Sequence, residues 1–215
     1  MKNSIIEYLN KTESAVKKIF EAYYSYFQFH NNNSRPVFTI FTKVGTPEYK
    51  HEYDLWFAQH ENNIYLFIDK DNELASQIFA MHTLCGTILQ FAYWGIDKYS
   101  KNSIYPKEWS EICNKEKKAI KFYIGKEIEG LPIGWIIYAG RNQAMHYDRE
   151  LRGFNRAIFN KLKYEYSSYF DKSYYNESFD LDKKKGIPLG GNILNKLGWV
   201  NYELYKADMV AMLSD

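Results

Sequence analysis

Length, composition and charge exclude several classes of protein. The chain has 215 residues, of which 46% are hydrophobic and 25% charged, so it can bury a core and is not a disordered polymer. Its formal net charge of +2 is too small for bulk charge to predict nucleic-acid binding. The 2 cysteines form no CxxC pair, which argues against a disulfide framework and against a cysteine-ligated zinc.

The sequence predicts a soluble, cytoplasmic protein with no membrane contact. Residues 1–14 are polar and lack the apolar region of a secretory signal. The segment Leu74–Trp94 has about the length of a membrane span, but it contains Gln77, His82 and Gln90. These polar residues favour a buried helix instead.

The first predicted element is a long helix near the start of the chain. Ser4 and Glu7 have the spacing of a capping box, in which each side chain satisfies an unpaired amide of the other residue. Hydrophobic residues then recur at helical spacing from Ile5 to Phe27. The polar run at 30–36 predicts the end of this helix.

The next region has the composition of β-structure. Three short runs at 37–42, 53–57 and 64–68 are rich in β-branched and aromatic residues. The residues between them, including Gly45-Thr-Pro47 and Asn62-Asn63, are typical of turns. The sequence therefore predicts a small β-hairpin insertion at about 37–68.

Helical spacing returns for the rest of the chain. Helices are predicted from about Asn72 to Gly95, from Pro106 to Phe122, from Ile133 to about Arg149, over 154–166 and over 193–209. The polar, tyrosine-rich segment 167–187 is predicted to be a mobile loop. With no repeat and no linker, residues 1–215 are expected to form one mainly α domain that carries the β insertion.

The motifs of several common kinds of site are missing from the sequence. There is no HExxH or HxH pattern, no phosphate-binding glycine loop and no GxSxG elbow. Gly190-Gly191 follows no predicted strand, and His82 is interpreted as a core histidine that a neighbour satisfies. We therefore expect neither a metal nor a cofactor.

One group of residues has the composition of a reactive site, the run from Gly140 to Asp148. Asn142 and His146 share a helix face at i and i+4 spacing. Arg141 and His146 flank that face, about 140° apart at roughly 100° per residue. The side chains of Arg141 and His146 converge only if a groove or a second chain covers the face.

These residue types suit metal-independent RNA cleavage. A histidine can take the proton from a 2′-hydroxyl, and an arginine can stabilise the negative phosphate. Asn142 can orient the imidazole or bind an oxygen. The structural alternative is that Arg141 pairs with an acidic neighbour and His146 caps a helix end. A chance R-x4-H predicts instead that the two side chains lie in different environments.

The sequence Arg141-Asn142-x-x-x-His146 resembles the Rx4–6H motif of the HEPN superfamily of helical, usually dimeric domains. The polar residue after the arginine matches that family, as does a position late in a helical bundle. The resemblance implies a metal-independent endoribonuclease in a toxin–antitoxin or phage-defence system. It also implies that Arg141 and His146 are the catalytic pair, that Asn142 is a positioning residue, and that two protomers form a composite site.

The residues after the motif are candidates for RNA contact. Arg149, Arg152 and Arg156 belong to a basic stretch that could hold the RNA backbone, although a solvated helix face is the plainer interpretation. Tyr147 could contact a base. The expected partners are thus RNA, a second copy of the chain and an antitoxin protein. The alternative is a catalytically silent HEPN-like module that binds a nucleotide, an RNA or a protein through the same cleft.

Overall fold

A computed structural model of the protein describes residues 4–31, 37–39, 42–167 and 172–214. The chain divides into two compact units. The first unit comprises Met1–Tyr24 and Phe79–Asp215, and the second unit comprises Ser25–Ile78. The second unit contains the predicted insertion, and the prediction of one domain over 1–215 stays a prediction.

The protein is mainly helical, as the sequence predicts. The α-helices are α1 (Ile5–Asn31), α2 (Pro47–Tyr99), α3 (Ser110–Lys115), α4 (Ile133–Met145), α5 (Gly153–Leu162), α6 (Gly190–Leu197) and α7 (Tyr202–Leu213). Short 3-10 helices cover Lys107–Trp109, Lys117–Phe122 and Glu177–Phe179. The antiparallel strand pairs are β1 (Glu127–Ile128) with β2 (Leu131–Pro132), and β3 (Tyr164–Ser167) with β4 (Lys172–Tyr175). Of the helices in these described ranges, none is long and apolar enough to cross a bilayer.

The predicted β insertion at 37–68 is wrong. Runs 53–57 and 64–68 both lie within helix α2, and residues 37–39 have no regular secondary structure. Residues 40 and 41 of the first predicted strand lie outside the described residues.

The start of α2 explains the error. The Thr46 hydroxyl accepts a hydrogen bond from the Tyr49 amide at 3.2 Å, and Pro47 is the first helical residue. A threonine followed by a proline is a helix-start signal as well as a turn signal. Within the helix, Lys50 and Asp54 form an i,i+4 ion pair at 2.8 Å. Short apolar runs do not by themselves distinguish a strand from a helix segment.

The opposite error occurs after α5. The helix predicted over 154–166 ends at Leu162, and strand β3 begins at Tyr164 within that predicted helix. Strand β4 lies in the segment 167–187 that is predicted to be a loop, and it pairs with β3. Tyr164, Tyr174 and Tyr175 lie on these strands, where aromatic residues are favoured. The rings of Tyr164 and Tyr175 face each other across the hairpin with centroids 6.0 Å apart.

The last predicted helix, 193–209, is two helices in the structure. Helix α6 ends at Leu197 and is followed by Gly198, whose φ of +73° is the left-handed conformation that glycine adopts most easily. Asn201 then starts α7, because its side chain accepts a hydrogen bond from the Leu204 amide at 3.0 Å.

Helix α4 lies at the centre of the first unit. Every residue from Ile133 to Gly140 is buried, as expected for a helix that is hydrophobic on all sides. The Trp135 indole donates to the Ala119 carbonyl at 2.9 Å. From Arg141 onward the helix becomes half-buried and then exposed, except at the buried Gln143, so the candidate motif begins where α4 emerges from the core.

Candidate functional site

Close helix contacts fix the end of α4 that carries the motif. A Cβ atom added to Gly140 would lie 2.9 Å from the Ile193 side chain, and one added to Gly86 would lie 2.9 Å from the Cβ of Ala144. Neighbouring helices can therefore approach only because these positions lack a side chain. The contacts hold the last turns of α4 against α2 and α6.

The Arg141 guanidinium is held by uncharged groups. Its Nε donates to the Gln90 Oε1 at 2.6 Å, and its Nη1 donates to the Asn142 Oδ1 at 2.9 Å. The guanidinium carbon lies 4.9 Å from the centre of the Tyr93 ring, a cation–π contact. No salt bridge to Arg141 occurs among the residues that the structure describes, so its half-buried charge has no carboxylate counterpart there.

Gln90 is itself buried, and only half of its amide is satisfied. Its oxygen accepts from Arg141, whereas its Nε2 is buried without a hydrogen-bond partner within the described chain. An unpaired buried donor is costly. The Arg141 environment thus has a deficit of acceptors as well as of negative charge.

Asn142 links α4 to α5. Its Nδ2 donates to the Asn155 Oδ1 at 3.1 Å, while its oxygen accepts from Arg141. This arrangement orients the amide toward the arginine and not toward the imidazole, and the positioning role of Asn142 stays a prediction.

His146 terminates α4. Its backbone amide donates to the carbonyls of Asn142 and Gln143, and its φ of −133° leaves the helical region. The helix therefore ends about one turn before the predicted boundary at Arg149. The imidazole is exposed and makes no hydrogen bond or ion pair within the described residues.

The structure brings together only part of the predicted catalytic group. Arg141 and Asn142 are joined directly. The expected contact between Asn142 and His146 is a backbone hydrogen bond of 3.1 Å, and no side-chain bond in the described part of the chain joins His146 to either residue. His146 does occupy a helix end, as in the structural alternative, but the acidic partner which that alternative assigns to Arg141 is not found there.

The predicted RNA-contacting residues differ in whether they already have a partner within the protein. Arg156 binds both carboxylate oxygens of Asp182, at 2.9 and 2.7 Å, and Arg152 pairs with Glu150 at 3.2 Å. Arg149 is exposed and has no ion pair among the described residues. Two of the predicted arginines are thus already matched with acids, which fits the plainer interpretation of a solvated, ion-paired surface.

Tyr147 is half-buried beside the motif. Its ring packs edge-to-face against Phe79, with centroids 5.3 Å apart. It also lines a pocket of about 230 Å³ that opens next to the end of α4. The pocket is lined by residues of three segments: Gln143, Tyr147, Asp148, Arg149, Glu150, Leu151, Arg156, Leu181, Asp182, Lys184, Lys185 and Gly186.

Sequence reasoning missed the contribution of Lys184 and Lys185 to this pocket, because a lysine run in a polar segment is usually a solvated loop. Gln143 brings that segment to α4. Its Nε2 donates to the Ile187 carbonyl at 2.8 Å, and its Oε1 accepts from the Leu189 amide at 2.6 Å. The one signal in the sequence was Gln143 itself, because a glutamine on an otherwise apolar helix needs a polar partner from another segment.

The interpretation of His82 as a satisfied core histidine is confirmed. Its Nδ1 accepts a hydrogen bond from the Gly191 amide at 3.0 Å, and burial lowers the pKa of the imidazole. Gly190 and Gly191 lie directly against His82, too close for a Cβ on Gly190. The glycine pair therefore serves helix packing.

Burial in the first unit favours the neutral forms of two ionisable groups. The Tyr138 hydroxyl donates to the Glu116 Oε1 at 2.8 Å, and burial, assisted by that carboxylate, raises the pKa of the phenol. Burial likewise raises the pKa of the Cys85 thiol, which makes it a poor nucleophile. Within the described residues, no group of three or more His, Cys, Asp or Glu side chains could hold a metal ion.

Comparison with known proteins identifies no relative. No family model, no curated protein and no solved structure matches the chain.

Proposed function

We propose that this protein is a metal-independent endoribonuclease of the HEPN type that acts as a toxin or phage-defence effector in the cytoplasm. One observation carries the proposal: a half-buried guanidinium without a carboxylate partner among the described residues lies in the last turns of the helix that ends at an exposed histidine. Buried charges are normally paired, so an anionic ligand is the natural complement to Arg141. A phosphodiester supplies that charge.

The reaction requires only these residue types. The neutral His146 imidazole takes the proton of a ribose 2′-hydroxyl, and the O2′ attacks the adjacent phosphorus. The bond from phosphorus to O5′ breaks, and the O5′ receives a proton from an imidazolium. The products are a 2′,3′-cyclic phosphate and a 5′-hydroxyl, while Arg141 stabilises the charge that develops on the phosphoryl oxygens.

A second copy of the chain supports this chemistry. The described contacts do not join His146 to Arg141 within one chain, and one histidine cannot serve easily as both base and acid in one turnover. Two protomers related by a two-fold axis would supply two histidines and two arginines. An antitoxin protein would then act by covering or separating this composite site.

The test uses purified full-length protein and a labelled RNA. We expect His146→Ala and Arg141→Ala each to reduce the cleavage rate by at least about 100-fold, with the circular dichroism spectrum of the folded protein unchanged. His51→Ala, which removes an exposed histidine of α2, is the matched control and should cleave normally. Cleavage that persists in both motif variants, or that a chelator abolishes, contradicts the proposal.

The second candidate is a catalytically silent module that binds a nucleotide, RNA or protein through the same region. The observation that favours it is the lack of any described side-chain bond between His146 and Arg141. Expression separates the two candidates. A cleaving toxin should yield far less protein in wild-type form than as His146→Ala, whereas a silent module should give equal yields and intact cellular RNA.

A further inference from the structure

The pocket beside the end of α4 contains positive charge that the fold does not neutralise. Arg149, Lys184 and Lys185 all line it, and none of them has a carboxylate within ion-pair distance among the described residues. Phosphate groups bind to such clusters of arginine and lysine. The pocket is therefore a candidate anion site separate from Arg141.

Two of the three acids that line the pocket are already paired with arginines. Asp182 binds Arg156 through both oxygens. Glu150 pairs with Arg152 at 3.2 Å and with Arg156 at 3.8 Å. Asp148 is the remaining lining acid, so the unmatched charge of the pocket is positive.

The segment that carries the lysines is held in place before any ligand binds. Arg156 of α5 fixes Asp182, and Gln143 of α4 fixes Ile187 and Leu189. The Lys184 amide also donates to the Asp180 carbonyl at 3.0 Å, which closes a turn. Preorganisation of this kind lowers the entropy cost of binding.

The position and size of the pocket indicate the class of ligand. Its first lining residue after α4 is Tyr147, which directly follows His146 in the sequence, so the pocket adjoins the proposed site. The volume of about 230 Å³ is below the roughly 300–1,000 Å³ of drug-sized sites, and suits a phosphate with part of one nucleoside. Tyr147 supplies an aromatic surface for a base.

We infer that this pocket is a nucleotide subsite, in which Arg149, Lys184 and Lys185 bind a phosphate and Tyr147 contacts the attached base. The inference deepens the proposed function and rests on it for the identity of the ligand as RNA. Contacts to phosphate position a strand without reading its sequence. The pocket would thus set which phosphodiester reaches His146.

The lysine run provides a matched control. Lys183 does not line the pocket: it pairs with Glu177 at 3.4 Å and lies 5.2 Å from the centre of the Tyr175 ring. Replacing Lys183 changes the net charge as each of its neighbours would, but leaves the pocket intact. A general electrostatic effect would therefore appear in all lysine variants, and a site-specific effect only in two of them.

The experiment measures binding of adenosine 5′-monophosphate, adenosine and inorganic phosphate to the full-length His146→Ala protein by calorimetry at millimolar ligand and low salt. We expect the nucleotide to bind more tightly than either fragment. Adding K184A or K185A singly should each weaken nucleotide binding by about fivefold, whereas K183A, which removes the same charge, should change it by less than about twofold. Tyr147→Ala should weaken nucleotide binding and leave phosphate binding unchanged.

Each other outcome overturns the inference. Absence of nucleotide binding, equal binding of phosphate and nucleotide, or equal effects of K183A, K184A and K185A would each do so. Failure of the proposed function looks different: the nucleotide would bind with the expected lysine dependence, yet wild-type protein would not cleave RNA. If RNA is cleaved at the His146 site but no nucleotide binds, the subsite alone is wrong.

Discussion

The two units of the chain use their hydrophobic residues in opposite ways. Within the described part of the chain, every buried residue belongs to the first unit. In the second unit, aromatic side chains contact one another along the surface. The Phe38 ring lies 5.1 Å from that of Trp56, and Tyr53 lies 6.1 Å from Phe57.

This difference predicts that the two units contribute unequally to the free energy of unfolding. The second unit has local contacts, such as the Lys50–Asp54 ion pair and the stacked rings of Trp56 and His60. Contacts between neighbours on a helix each contribute only a few tenths of a kcal/mol. A segment held in this way should open at a lower free energy than a segment whose side chains are buried.

The largest expected effect compares one buried and one exposed side chain. Ile136 of α4 is fully buried, whereas Leu66 of the second unit is 58% exposed. Ile136→Ala should lower the free energy of unfolding by about 3 kcal/mol because it leaves a cavity. Leu66→Ala should change it by less than about 0.5 kcal/mol. Urea unfolding followed by circular dichroism measures both values, and similar losses would refute the contrast between the units.

A smaller effect tests whether every buried group in the first unit stabilises the folded protein. The Tyr205 hydroxyl is buried without a hydrogen-bond partner among the described residues, and burial raises the pKa of its phenol. Tyr205→Phe should therefore stabilise the protein by about 1 kcal/mol. Tyr202→Phe is the control, because the Tyr202 hydroxyl donates to the Leu9 carbonyl at 3.2 Å and its loss should destabilise. A destabilising Tyr205→Phe would mean that the hydroxyl is satisfied.

The smallest effect is a pH dependence caused by His82. Burial lowers the pKa of this imidazole in the folded protein, so the unfolded chain takes up the proton first, near its ordinary value of 6.5. The stability that comes from burying neutral His82 is complete above that pH and is lost as the pH falls toward the lower folded-state pKa. Thermal unfolding between pH 8 and pH 5 should show this loss, and His82→Gln should flatten it. An unchanged slope in His82→Gln would assign the dependence to other groups.

Much of the helical frame was predictable, because its signals are local. Pro132 before Ile133 and the uninterrupted apolar run after it predict both the start and the burial of α4. Ser4 likewise predicts the start of α1, and its hydroxyl accepts from the Glu7 amide at 3.3 Å. These features depend on residues within one or two helical turns.

The errors arose where one local pattern fits two structures. Thr46-Pro47 suits both a turn and a helix start, and the capping bond to Tyr49 is visible only in three dimensions. The same holds at the candidate site. Helical spacing predicted that Asn142 and His146 share a helix face, but the structure joins them only through the backbone. The bond that Arg141 donates to Gln90 and the lysine segment beside Tyr147 depend on residues far away in the sequence.

The glycines between helices have a consequence for mutational scanning of this protein. A Cβ on Gly134 would lie 2.3 Å from the Phe122 carbonyl oxygen, and one on Gly190 would lie 2.5 Å from the His82 carbonyl oxygen. In a saturation library selected for function, these positions should be as intolerant as His146 itself. A map of which substitutions retain function would then not distinguish these packing glycines from residues of an active site. Measurements of protein abundance for the same variants would separate the two groups, because only the packing variants should lower abundance.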